Sequence, residues 1–289
     1  MQDLRRIIWL ASYPKSGNTW VRMLLAHYFM PKGKAPDINN IRQFTTGDAR
    51  QDIFDAAVGG TYHADSPDEW IHVRQKVVAM IAASKPNHHF VKTHCQASKY
   101  LGIDLIPPQC TAGAIYVMRN PFDLAPSFAR HLNTDIDTAI EIMLNTEAIN
   151  GTESGIYDAI GRWDKHVSSW ADAPGLSIHV LRYEDMIDHT ARAMRDLILK
   201  FLKAPLDAGK LAYAVKATSF ETLKKQEAEL GFVERPAGMD QFFARGQSGV
   251  WRTDLTPEQV ARLRDGFGDT LTKWYPELMT ETAEFAASG

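Results

Sequence analysis

From Ile7 to Tyr28 the chain reads IIWLASYPKSGNTWVRMLLAHY, and this stretch limits the possible folds more than any other. Ile7, Ile8, Trp9 and Leu10 are an apolar run of strand-forming residues. Pro14 and Gly17 punctuate it, and Val21, Leu24, Leu25 and Tyr28 then recur at helical spacing. Strand, loop and helix in immediate succession predict an anion site, because the first N–H groups of the helix lack intrahelical acceptors and its dipole is positive there. Lys15, Ser16, Gly17, Asn18 and Thr19 surround that turn with one fixed cation, one permissive backbone position and small polar groups. The order is not that of a Walker A loop, whose lysine follows the second glycine, whereas here Lys15 precedes Gly17. On the loop alone, a solvated lysine in an ordinary strand-to-helix turn is the alternative.

Further motifs bear on that choice. Pro14 to Trp20, PKSGNTW, resembles the 5′-phosphosulfate loop of sulfotransferases that use 3′-phosphoadenosine 5′-phosphosulfate (PAPS). The resemblance implies that Lys15, Ser16, Gly17, Asn18, Thr19 and Trp20 bind the co-substrate. A second predicted strand, His89 to Val91, leads into Lys92-Thr93-His94, which is similar to the family segment that supplies the catalytic base. This implies His94 as the base and Lys92 as a charge partner for the sulfuryl group; a structural hydrogen-bonding histidine is the alternative. A third, Gly113 to Met118, runs into Arg119, Pro121, Asp123 and Ser127, and the pattern R-x-P-x-D-x-x-x-S resembles the family's 3′-phosphate motif. It implies Arg119 and Ser127 as 3′-phosphate ligands, against an arginine that merely pairs with Asp123.

A fourth strand, Ser177 to Leu181, ends in Arg182-Tyr183-Glu184-Asp185-Met186, which resembles a segment whose tyrosine contacts the adenine-bearing half of the co-substrate. Tyr183 is equally a core aromatic with a satisfied hydroxyl. Ala217 to Glu221 is similar to the family's Thr-Ser-Phe segment, which implies Ser219 and Phe220 near the base. Phe242 to Arg252, FFARGQSGVWR, resembles the loop that folds over the 3′-phosphate and implies Arg245 and Gly246 as ligands. Two departures stand out: Ala244 replaces a first arginine, and Val250 replaces a common acidic residue.

Composition narrows the function classes. A formal net charge of −3 gives no global basic field to recruit nucleic acid or anionic lipid. Cys95 and Cys110 lack metal-site spacing and read as reduced thiols, which with a strand beginning close to Met1 predicts a cytoplasmic chain. No apolar run approaches the roughly 20 residues that span a bilayer.

Between the motifs, residues 31–68 show no periodicity and are expected to be irregular, either a candidate acceptor wall or loop packing with no ligand role. Trp70, Val73, Val77 and Ile81 predict a helix. Residues 135–172 read as helices, with Ala139, Ile142, Met143 and Ile149 as one stripe and Trp163, Val167 and Trp170 as another. Thr256, Pro257 and Gln259 predict a capped helix start. Alternating strands and helices imply an α/β fold, a mostly parallel sheet covered on both faces, as one domain over residues 1–289. The resemblance makes it the P-loop-like sulfotransferase fold.

The resemblance implies transfer of the sulfuryl group of PAPS to a hydroxyl of a small-molecule or glycan acceptor, with Lys15 at the leaving phosphate, His94 as base and no metal. A P-loop-type small-molecule kinase and a non-catalytic nucleotide-binding module are the alternatives. The dimer signature known in some relatives is poorly kept at Arg252, Thr256, Pro257 and Ala261, so no oligomeric state is expected from it.

Overall fold

The computed structural model describes residues 4–31, 33–235 and 238–287. In chain order the strands are β1 (Ile7–Ser12), β2 (Thr46–Gly47), β3 (His89–Thr93), β4 (Lys99–Tyr100), β5 (Ile103–Asp104), β6 (Thr111–Met118), β7 (Ile149–Gly151), β8 (Tyr157–Ala159) and β9 (Ile178–Arg182). The helices are α1 (Asn18–Phe29), α2 (Gln51–Val58), α3 (Pro67–Ala83), α4 (Pro121–Leu132), α5 (Ile136–Leu144), α6 (Trp163–Ala171), α7 (Tyr183–Asp196), α8 (Ala208–Ala217), α9 (Phe220–Leu230), α10 (Trp251–Asp254), α11 (Pro257–Trp274) and α12 (Pro276–Ala286).

The central parallel sheet has the order β2-β3-β1-β6-β9, which is the α/β architecture expected. β1 holds the middle because five of its six residues are fully sequestered from solvent, as an apolar strand covered on both faces requires. It pairs in parallel with β3, Ile7 opposite His89 through Ala11 opposite Thr93. Trp9 can be buried there because its indole N–H donates to Thr111 Oγ1 at 2.9 Å.

The chain packs as two compact units, one of Met1–Tyr13, Thr45–Tyr116 and Asn145–Val180, the other of Pro14–Phe44, Val117–Leu144 and Leu181–Gly289. In the first, the buried Arg74 guanidinium is paired with Asp48 at 2.5 Å and donates to the Leu105 carbonyl, so a charge sits in the core with its partners. In the second, Met23, Ala26, Ile38, Ile41, Leu223, Phe232 and Phe243 form an apolar cluster, with Trp20, Phe220 and Phe242 packed on its margin. The buried Arg22 of α1 donates two bonds to Glu234, at 2.8 and 3.0 Å.

Two stretches depart from expectation. The irregular region after α1 contains the helix α2, which buries only Phe54 and Ala57 and leaves its other apolar residues, Ile53, Ala56 and Val58, half-buried or exposed. Residues 135–172 are not continuous helix: α5 and α6 are separated by the antiparallel pair β7 and β8, so Ile149 belongs to a strand. Gly155 decides this turn, since its φ is +72° and a Cβ there would lie 1.9 Å from the Ala64 carbonyl oxygen. The capped start of α11 is as expected, with the Thr256 side chain accepting from Gln259 N–H and the Gln259 side chain accepting from Thr256 N–H.

Candidate functional site

The loop after β1 belongs to the second unit. Gly17 precedes α1 with φ 102° and ψ 13°, and no side chain caps the helix. Ser16 is 1% exposed, and its hydroxyl has no hydrogen-bond partner. A residue larger than glycine at 17 is barred twice, by φ and by the Tyr183 ring, which a Cβ would approach to 2.7 Å. Asn18 and Thr19 are buried in the first turn, and the Trp20 indole donates to the Thr218 carbonyl at 3.0 Å. The Lys15 ammonium lies 3.7 Å from the centre of the Phe242 ring.

Arg119 follows β6 directly. Its guanidinium lies over the Tyr183 ring at 4.5 Å and donates to the carbonyls of Lys15 and Gln247, both at 3.3 Å. Its buried Nε has no partner, and no carboxylate among the described residues forms an ion pair with it. The pairing with Asp123 weighed from the sequence is therefore absent. Asp123 instead accepts from Ser248 Oγ at 3.2 Å, Gly249 N–H at 2.8 Å and Trp251 N–H at 3.0 Å, which ties the loop before α10 to the first turn of α4. Asn120 caps α4 and donates to Glu184 at 2.6 Å, a carboxyl that burial pushes upward in pKa. Ser127 is half-buried farther along the same helix.

The Ser219 hydroxyl caps α9 by accepting from Thr222 N–H at 3.3 Å, so the local fold already uses it. Phe220 packs on Gly246, where a Cβ would meet its ring at 2.2 Å. Phe220, Lys224, Gln241, Arg245 and Gly246 help line a groove of about 600 Å³. Arg245 itself donates to Asp254 at 2.9 Å. The second unit thus gathers Lys15 through Trp20 with Arg119 and Tyr183, and Phe220 with Arg245 and Gly246.

Lys92 and His94 belong to the first unit. β3 alternates: His89, Val91 and Thr93 are buried, Phe90 and Lys92 half-buried, and His94 continues the more open set. His94 Nδ1 lies 2.7 Å from the Ser12 carbonyl oxygen and 3.3 Å from Ser12 Oγ. A carbonyl only accepts, so Nδ1 carries the proton and Nε2 is the basic nitrogen. The His94 carbonyl accepts from His166 Nε2 at 3.1 Å, and His166 Nδ1 accepts from the Tyr116 hydroxyl at 2.9 Å. Burial lowers His166 to about 4, which keeps it neutral and able to serve both bonds.

Beside them, burial raises Asp158 on β8 to about 6; Asp48 adds to the rise, while Lys92 and Arg74 oppose it. The Cys95 thiol faces Asp158 at 3.8 Å and is pushed up to about 12 by burial, so it is no nucleophile. Sequence reasoning missed His166, Asp158 and the loop-holding role of Asp123. Only the Asp at the fifth position of the Arg119 motif carried a signal. Among the described residues no cluster of three or more His, Cys, Asp or Glu is placed to hold a metal, and no helix is long and apolar enough to cross a membrane.

Residues 5–282 match the family model described as Sulfotransferase domain. Flavonol 3-sulfotransferase of Flaveria bidentis is 22% identical over 271 residues, which cover 89% of this chain and 78% of that protein. Sulfotransferase 1B1 of Canis lupus familiaris is 26% identical over 270 residues, 86% of this chain and 78% of that protein. Among solved structures, mouse sulfotransferase SULT7A1 complexed with PAP shares the fold, with a TM-score of 0.60 at 20% identity over 98% of this chain and 90% of that one.

Proposed function

Because the chain belongs to the sulfotransferase family, we propose that this enzyme moves the sulfuryl group of PAPS to an acceptor hydroxyl, with His94 as general base and Lys15 stabilising the leaving phosphate. PAPS supplies an activated sulfuryl group on a phosphosulfate anhydride. The observation that carries the donor assignment is the polar set left uncompensated around the first turn of α1. The helix start has no side-chain cap, and the buried Ser16 hydroxyl and Arg119 Nε have no partners. Such groups are costly unless a ligand satisfies them, and all of them suit an anion. Ser16 to Thr19 would hold the 5′-phosphate, Arg119, Ser127, Arg245 and Gly246 the 3′-phosphate, and Trp20, Tyr183 and Phe220 the adenosine, with Ser219 supporting the start of α9.

The chain's own groups then divide the work. His94 Nε2 accepts the acceptor proton, and the Ser12 carbonyl stabilises the imidazolium by holding Nδ1–H. Lys15 offsets negative charge on the bridging oxygen, and Lys92 offsets charge on the sulfuryl oxygens while Asp158 moderates its field. Catalysis of this kind is mainly positioning and charge stabilisation, and no step in it needs a metal.

The acceptor in this proposal is a small-molecule or glycan hydroxyl. The match over residues 5–282 supports one domain over 1–289, and reduced Cys95 and Cys110 support cytoplasmic operation. The test is thermal melting with adenosine 3′,5′-bisphosphate (PAP) against ATP with magnesium, followed by mass spectrometry of hydroxyl acceptors after incubation with PAPS in EDTA. A PAP-specific rise in Tm and an 80 Da product adduct in EDTA, the mass of about one SO₃, are expected by the chemistry of sulfuryl transfer. A shift with ATP and magnesium alone would favour a kinase. PAP binding without any product would favour a nucleotide-binding module.

A further inference from the structure

The loop that resembles the family's 3′-phosphate segment has Ala244 where that pattern has a first arginine, one cation fewer than the resemblance implies. A different arginine lies close by. Arg130 is three residues beyond Ser127 on α4, and residues so spaced share a helix face. Its Nη1 is 3.9 Å from Asp254 Oδ2, while Arg245 Nη1 is 2.9 Å from Asp254 Oδ1. One carboxylate therefore serves two guanidinium groups. Arg119 adds a third cation whose field reaches Arg130.

The Arg130 guanidinium is held below its ordinary pKa, first by burial and then by repulsion from Arg245, with Asp254 opposing and Arg119 adding to the repulsion. Crowded arginines of this kind gain from an added anion. The side chains of Arg130 and Arg245 are 42% and 43% exposed, so the shared carboxylate holds them weakly and both can turn toward a ligand. A tetrahedral phosphate offers oxygen pairs in several directions to planar guanidinium groups at once, which one shared carboxylate does not.

We propose that Arg130 is a specificity-determining ligand of the 3′-phosphate, supplying from α4 the cation that the loop lacks at Ala244. This rests on the donor assignment made above. Calorimetric dissociation constants for PAP and for adenosine 5′-phosphate, measured on the wild type and Arg130→Gln, test it. Removing a hydrogen bond to a charged group should weaken PAP about tenfold or more and leave adenosine 5′-phosphate within about twofold. Adding Ala244→Arg to Arg130→Gln should restore several-fold of the lost preference. Unchanged PAP binding in Arg130→Gln, equal weakening of both nucleotides, or no recovery with Ala244→Arg would overturn the proposal. A wild type that binds both nucleotides equally would overturn the donor assignment as well, whereas a wild-type preference that survives in Arg130→Gln removes Arg130 alone.

Discussion

His94 and Lys15 are held in opposite ways. His94 is fixed by the Ser12 carbonyl on its ring and by His166 on its backbone, groups that remain in place throughout a reaction. The cations of the second unit rest on substitutes: Lys15 on the face of Phe242, Arg119 on two carbonyls and the Tyr183 ring, Arg245 on Asp254. None of these substitutes offers what a phosphate does. The proposed base is thus arranged before any ligand arrives, whereas the proposed anion side would gain its full hydrogen bonding only on exchange of partners. Rate should accordingly depend on His94 with little change in nucleotide affinity, and the cations should show in both.

The sharpest way to break this contrast is His94→Ala. Transfer should fall by about 10²- to 10⁴-fold, the usual worth of a general base, while PAP affinity by calorimetry stays within about twofold. Comparable loss of PAP binding would show that His94 belongs with the ligand-dependent groups. Lys15→Met comes next: turnover should drop by about 10²- to 10³-fold and PAP binding by clearly less, because charge on the bridging oxygen grows only as the bond breaks. Equal losses in kcat and affinity would make Lys15 a ground-state clamp. Arg119→Ala should weaken PAP by about 2–3 kcal/mol in equilibrium titration, the scale of a hydrogen bond to a charged group. A loss below 1 kcal/mol would mean the two carbonyls already satisfy Arg119.

The smallest effect concerns pH and the first unit. Asp158 titrates at about 6 folded against 3.8 unfolded, so between those values the folded state holds the extra proton and stability falls as pH rises. His166 titrates at about 4 folded against 6.5 unfolded, so over that range the unfolded state holds the extra proton and stability falls as pH drops. The two slopes oppose each other and flatten the wild-type curve. Asp158→Asn removes one of them, and its Tm should rise from pH 4 to 6.5 by several degrees more than that of the wild type. Matching curves would place Asp158 in ordinary solvent.

Most of the sheet was legible in the sequence, because apolar strands followed at once by polar or charged residues are what a covered parallel sheet produces. β1, β3, β6 and β9 all lie where the runs near Ile7, His89, Gly113 and Ser177 predict. α2 was not legible, since two buried residues in eight leave no stripe. Nor was the β7–β8 pair, whose turn is fixed by the approach of Ala64 to Gly155, a contact between residues far apart in the chain. The same limit applies at the site. Motifs name His94, Lys15 and Arg119, but the Ser12 carbonyl is a backbone group with no residue signature. Asp123 reads like a partner of Arg119 until its distant N–H donors at Gly249 and Trp251 are known.

Lys15 also has a φ of 68°, in the left-handed region where a side chain costs about 1 kcal/mol or more relative to glycine. The cheapest route to a more stable protein at this position is therefore Lys15→Gly, which would relieve the backbone and remove the ammonium in one step. A screen that rewards only heat resistance should enrich that change, and one that rewards sulfuryl transfer should purge it. The lysine at this turn is a place where stability and chemistry select in opposite directions, so thermostabilised variants of this chain need to be chosen with the turn held fixed.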